Sequence, residues 1–96
     1  MFSAFYLFYI IFLFSGYTKI IKKLIKGGAD YNTQGNFNHT PLIIASWKNH
    51  ERAVKVLLKH KPHLEIREAH GLTALALASI KDNTDIEKML QDARKK

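Results

Sequence analysis

Five histidines, eight carboxylates and fifteen basic side chains are the groups in this 96-residue chain whose chemistry could reach beyond packing. The histidines are His39, His50, His60, His63 and His70. A metal site needs ligands that converge, at spacings that helices or tight loops can deliver. His60 and His63 straddle Pro62, so they cannot share a helix face, and no carboxylate stands at ligand spacing from the others. Cysteine is absent, which removes thiolate zinc sites, disulfides and cysteine nucleophiles together. Glu65 with Glu68, and Asp82 with Asp85, could be read as acid–base pairs. They flank turns and helix starts, where the helix dipole favours negative charge and solvent keeps carboxylates ionised. No nucleophile stands beside a base. Gly27-Gly28 and Gly35 fit neither spacing of a phosphate-binding loop. The reading is therefore of a non-enzymatic chain with no metal and no cofactor.

The net charge of +7 raises nucleic acid as a partner. Twelve of the fifteen cations are lysine, whereas planar, bidentate reading of phosphate or guanine favours arginine. Tyr31, Phe37 and Trp47 are the aromatics beyond residue 17, and they do not interleave with the basic residues. A solvated lysine face accounts for the charge better than nucleic-acid recognition does.

The elements that position these groups repeat. Displaced by 33 residues, Thr40 falls on Thr73, Leu42 on Leu75, Ala45 on Ala78 and Ser46 on Ser79. Leu24 falls on Leu57 and then Leu90, and Lys22 on Lys55 and then Lys88. A period of this length made of short elements predicts a stacked helical solenoid. Thr40-Pro41 reads as an N-cap hydroxyl followed by a proline whose missing N–H costs nothing at the first helical position. A short helix to about Lys48, a turn at Asn49-His50 and a second helix over 51–60 follow. Lys61-Pro62 stops that helix. Residues 64–68 are extended, 69–71 turn, and the helix pair returns over 75–80 and 85–91.

These residues resemble the ankyrin repeat. Thr40-Pro41-Leu42-Ile43-Ile44-Ala45 and Thr73-Ala74-Leu75-Ala76-Leu77-Ala78 match its opening block. Asn49-His50 stands at its Gly-His turn, Val56-Leu57-Leu58 at the end of its second helix, and Gly28-Ala29-Asp30-Tyr31-Asn32 at its closing block. The resemblance covers about residues 18–91, some two and a half repeats. It implies an all-α helix-turn-helix solenoid, divided into 18–35 as the second half of an incomplete repeat, 36–69 as a full repeat, and 70–96 as a last repeat with a basic cap. Departures are visible. Ile43 and Ala76 occupy the place of the motif histidine, which predicts a weaker hold on the neighbouring loops. Asn38 replaces a turn glycine that Gly71 keeps. Lys61-Pro62-His63 replaces Gly-Ala-Asp, which predicts weaker left-handed termination of the preceding helix.

Met1–Tyr17 is a different material, with fourteen apolar residues of seventeen and no charge. Three readings compete. As a membrane anchor, the uncharged stretch up to Lys19 would span ~27 Å as a helix, near the ~30 Å of hydrocarbon. Lys19, Lys22, Lys23 and Lys26 would then flank it and hold the repeats on the cytoplasmic side. As a degenerate inner helix, Ile10-Ile11 falls on Ile43-Ile44, but Phe12 falls on the small position of Ala45 and Ala78. A cleaved secretory signal fits worst, since a basic start is missing and Phe14 stands where a small residue is needed. Localisation follows the choice: cytoplasmic, or membrane-anchored with repeats facing the cytoplasm.

The resemblance implies binding of another protein, through turn tips and the concave face of the inner helices. Those positions are Asn36, Phe37, His39, Trp47 and Lys48, then Ala69, His70, Leu72, Ile80 and Lys81. Phe37 lies in a polar turn, and Trp47 stands where the family places a polar residue. Exposed aromatics of this kind anchor interfaces. Packing of Trp47 on Ile80, its equivalent one repeat on, is the alternative. Asn38-His39-Thr40 is also a glycosylation sequon, unused if the repeats are cytoplasmic. The alternatives to a protein-binding module are a structural fragment of a longer solenoid without an autonomous partner and a basic polyanion or anionic-lipid binder; the partner and the oligomeric state are left open by the sequence.

Overall fold

A computed structural model of the protein describes residues 18–28, 32 and 38–95. The apolar segment Met1–Tyr17 and the tip residues Asn36 and Phe37 lie outside the described residues. Five α-helices follow in order among them: α1 (Thr18–Lys26), α2 (Pro41–Trp47), α3 (Glu51–Lys59), α4 (Ala74–Ile80) and α5 (Thr84–Arg94). No strand is present among these residues.

The helices begin where their caps dictate. The Thr40 hydroxyl accepts a hydrogen bond from the Ile43 N–H at 3.2 Å, and Pro41 occupies the first turn. Thr73 repeats the arrangement on the Ala76 N–H, again at 3.2 Å. Each hydroxyl satisfies a helix donor that would otherwise lack an acceptor. Helices α2 and α4 have seven residues each, too short to persist alone in water. They survive by stacking. α2 packs on α3 and on α4, α4 on α5, and α3 on both α1 and α5. The result is an inner row, α2 and α4, beside an outer row, α1, α3 and α5.

The core runs between the rows. Ile21 and Ile25 of α1 lie one turn apart and enter it, while Lys19, Lys22, Lys23 and Lys26 stay in solvent. Every residue from Pro41 to Ser46 is buried. Ala53, Val54, Val56 and Leu57 come from α3, and Ile86 and Leu90 from α5. Ala45 and Ala78 are both fully enclosed, consistent with close packing of the inner helices at that level.

Left-handed backbone recurs with the sequence period. Gly28 (φ 102°) and Lys61 (φ 53°) follow the outer helices, Asn38 (φ 62°) and Gly71 (φ 82°) precede the N-caps, and Asn49 (φ 61°) and Asp82 (φ 57°) separate inner from outer helix. Members of each pair are 33 residues apart. The termination after α3 is thus retained without its glycine. Lys61 takes the left-handed conformation, and its N–H bonds the Leu58 carbonyl at 3.2 Å. The cost appears as local strain, since a β-carbon disfavours this region. Helix α5 also runs to Arg94, three residues beyond the expected end.

Candidate functional site

Helix α2 changes character at its end. After the buried run Pro41–Ser46, Trp47 is half-buried and Lys48 exposed. The indole is framed by polar groups. Lys48 Nζ lies 5.0 Å from the ring centroid and Lys81 Nζ 6.0 Å, both within cation–π range. The His39 ring stands 6.1 Å away, tilted by 46°. Ile80, one repeat beyond Trp47, is 62% exposed, so little of it is covered by the indole or by any other group.

His39 links this group to the second turn tip, where Glu68 is the centre. Sequence reasoning placed Glu68 at a solvent-facing turn; the structure corrects this. Its residue is only 6% exposed. One oxygen accepts from the His70 N–H at 2.6 Å and the Leu72 N–H at 3.1 Å. The other lies 2.9 Å from His70 Nδ1 and 3.7 Å from His39 Nε2. The hydrogen bond from the His70 side chain, aided by the backbone donors and opposed by burial, lowers its pKa from 4.5 to about 2. The turn folds back because Gly71 takes a left-handed φ and donates to the Glu68 carbonyl, while the Glu68 N–H donates to Leu72. Glu68 thus ties the tip through both its carboxylate and its backbone, where the motif histidine is absent. An acid three residues ahead of a turn glycine was the readable signal, since that spacing aims a carboxylate at the N–H groups of the turn.

His39, Trp47, Lys48, His70 and Lys81 are therefore brought into one chain of contacts, with Glu68 as the unforeseen link. Ala69, His70 and Leu72 share the tip, where Ala69 and His70 are exposed and Leu72 half-buried. Asn36 and Phe37 lie outside the described residues. Glu65, paired with Glu68 in the sequence reading, is apart and faces Arg94 Nε at 3.6 Å, an exposed pair of small energetic weight. No group of three histidine or carboxylate side chains among the described residues is arranged to hold a metal ion. No helix among them is long and apolar enough to cross a membrane.

Three asparagines tie one repeat to the next. Asn32 Oδ1 accepts from the His63 N–H at 2.8 Å, Asn38 Nδ2 donates to the Arg67 carbonyl at 3.0 Å, and Asn83 Nδ2 donates to the Ser46 carbonyl at 2.7 Å. The last bond fixes the end of α2, and with it Trp47, against the start of α5.

Comparison with known proteins agrees with this architecture. A model of the ankyrin-repeat family, in three copies, matches residues 7–96. Human Rabankyrin-5 is similar, at 31% identity over 78 residues, covering 79% of this chain and 7% of that protein. A putative ankyrin repeat protein of Rickettsia bellii (strain RML369-C) is 35% identical over 69 residues, covering 72% of this chain and 41% of that protein. The chain thus spans less than half the length of either relative. Ankyrin repeats are in general modules for protein–protein interaction rather than catalysts. The paired helices, the 33-residue step and a family match over most of the sequence lead to one assignment: the chain belongs to the ankyrin-repeat family.

Proposed function

We propose that this chain is a non-enzymatic protein-interaction module whose contact surface runs from the turn tips across the exposed ends of the inner helices. The residues assigned to it are Asn36, Phe37, His39, Trp47, Lys48, Ala69, His70, Leu72, Ile80 and Lys81. The observation that carries the reading is Trp47. It follows six buried residues yet stands outside the core, between two lysine ammonium groups and an imidazole. A large, held, amphipathic ring at a surface is the commonest kind of interface anchor.

The boundaries at 18, 36 and 70 remain the proposed division of the repeats. The family match begins at residue 7, inside the apolar segment, which favours a repeat helix there over a membrane anchor. A second reading, a piece of a longer solenoid, draws support from the 7% and 41% coverage of the relatives.

Photo-crosslinking tests the surface. A photoreactive side chain at His70 or Ile80 is expected to capture a protein in the cells that express the chain. The same group at Lys55 or Lys88, exposed on the outer helices, is expected to capture none. Adducts confined to the outer-helix positions overturn the proposal. Trp47→Ala is expected to weaken the captured partner at least tenfold, about 1.4 kcal/mol, with the helical circular dichroism unchanged.

A further inference from the structure

A cavity of about 760 Å³ opens on the outer row of helices. It lies between the second halves of α3 and α5 and the chain that leaves α3, and no residue of α2 or α4 lines it. Leu58, Leu64 and Met89 form its apolar wall. Each is half-buried and packs against the core on one side, so another side faces this space. Lys55, Lys59 and Lys61 line the same cavity, against a single carboxylate, Asp92. All four charged side chains are exposed, and none is ion-paired among the described residues.

Two of these lysines have an ordinary explanation. Lys55 lies on a solvated helix face, and Lys59 stands in the last turn of α3, where the dipole favours a cation. Lys61 has neither. It holds φ 53° where the equivalent Gly28 carries no β-carbon to resist that conformation. Strain held at a cavity wall points to a use for the side chain there.

Wall and charge together define what fits. The volume falls within the ~300–1,000 Å³ of small-molecule sites. Nine residues line it, far fewer than the ~20–30 that a protein interface takes from each side. A purely polar polyanion leaves Leu58, Leu64 and Met89 in water, and a neutral oil gains nothing from three lysines. A second copy of the chain brings a further +7 to a basic wall. We infer that this cavity binds one long-chain carboxylate of the fatty-acid class, its alkyl chain on Leu58, Leu64 and Met89 and its carboxylate among Lys55, Lys59 and Lys61. The site is separate from the interaction surface proposed above and does not rest on it.

Met1 and Met89 are the two methionines, so methyl labelling of methionine places one resonance at this wall. The full chain is titrated with dodecanoate, kept below micelle formation at ~1 mM or less. One equivalent is expected to bind and to shift the Met89 methyl resonance. Octanoate is expected to bind at least about tenfold more weakly, because it buries fewer methylenes. Dodecyltrimethylammonium, with the same chain and the opposite charge, is expected to be weaker by a similar factor. Lys59→Glu is expected to weaken dodecanoate about tenfold, and Lys88→Glu, outside the cavity on α5, less than about twofold. Lys61→Gly is expected to weaken it about threefold or more while raising the urea midpoint, a combination that a merely structural lysine does not give. Circular dichroism checks that each variant folds.

A Met89 resonance that stays in place up to ~1 mM overturns the inference. Equal binding of the alkylammonium removes the role of charge, and equal binding of octanoate removes that of the chain; either overturns it. An indole response without a Met89 shift places the ligand on the opposite row and overturns the site. Capture by vesicles of anionic phospholipid, with no response to dodecanoate, replaces the cavity by a membrane surface. Saturation only at many equivalents, with loss of helical dichroism, shows detergent action and overturns it as well. None of these results bears on crosslinks at His70 and Ile80, which test the interaction surface by themselves.

Discussion

Glu68 shows how much one buried carboxylate can organise. It closes the second tip, holds His70 and approaches His39, which in turn faces Trp47. Its pKa is lower folded than unfolded, so its contribution to stability is complete above pH ~4.5 and is lost as pH falls toward about 2. Acid titration of unfolding should therefore show a loss of stability across that window, and Glu68→Gln should flatten it. An unchanged slope in the variant would show that other groups govern the acid response. Ser46 makes a second case. It is fully buried and its hydroxyl lacks a partner among the described residues, at a position where the family motif has alanine. Ser46→Ala is expected to leave stability unchanged or raise it by ~1 kcal/mol in urea unfolding, because it removes an unsatisfied polar atom at little cost in volume. Trp47 and its two lysines could be picked out of the sequence because a tryptophan at a polar position is conspicuous. Glu68 was missed, because its burial depends on a turn that folds back on itself, which hydropathy does not report; its place three residues ahead of Gly71 is the one mark it carries in the sequence.

The helices themselves were more legible. Thr-Pro and Thr-Ala starts, proline after α3, and apolar residues in 33-residue register each act through the nearest few peptide units, and so survive translation from sequence to structure. Left-handed positions were half legible. Glycine and asparagine mark four of the six, but Lys61 and Asp82 carry no such mark and are recognisable only by their distance from Gly28 and Asn49. Lys61 was expected to weaken the termination. Lys61 nonetheless takes the left-handed turn, beside the buried Pro62, and bears the strain of its β-carbon there. Lys61→Gly is accordingly expected to stabilise the protein by ~0.5–1 kcal/mol, measured as a higher urea midpoint at constant slope. At α2, Thr40→Ala is expected to cost ~1 kcal/mol through loss of the hydroxyl acceptor for the Ile43 N–H.

At the level of the whole molecule, no repeat buries its apolar face alone. Leu57 is fully enclosed in α3, which packs on α1, α2 and α5. Leu57→Ala is expected to cost ~2–5 kcal/mol. A chain of this size has in total only ~5–15 kcal/mol, so the variant should sit near its unfolding midpoint in mild urea. With repeats tied by Asn32, Asn38 and Asn83, Trp47 fluorescence and far-ultraviolet dichroism should report one transition. Asn83→Ala, which frees the end of α2, is expected to separate the two probes, with the indole signal moving first. Coincident curves in that variant would show that the apolar stack alone carries the coupling. Between Ser46 and Trp47 the chain passes from enclosed to open within a single peptide bond. On the interaction surface proposed for this chain, pressure to stay folded ends at the first of these residues, and pressure to choose a client begins at the second. A lineage can therefore exchange one client for another by drift at the rim, without descending through an ancestor that fails to fold.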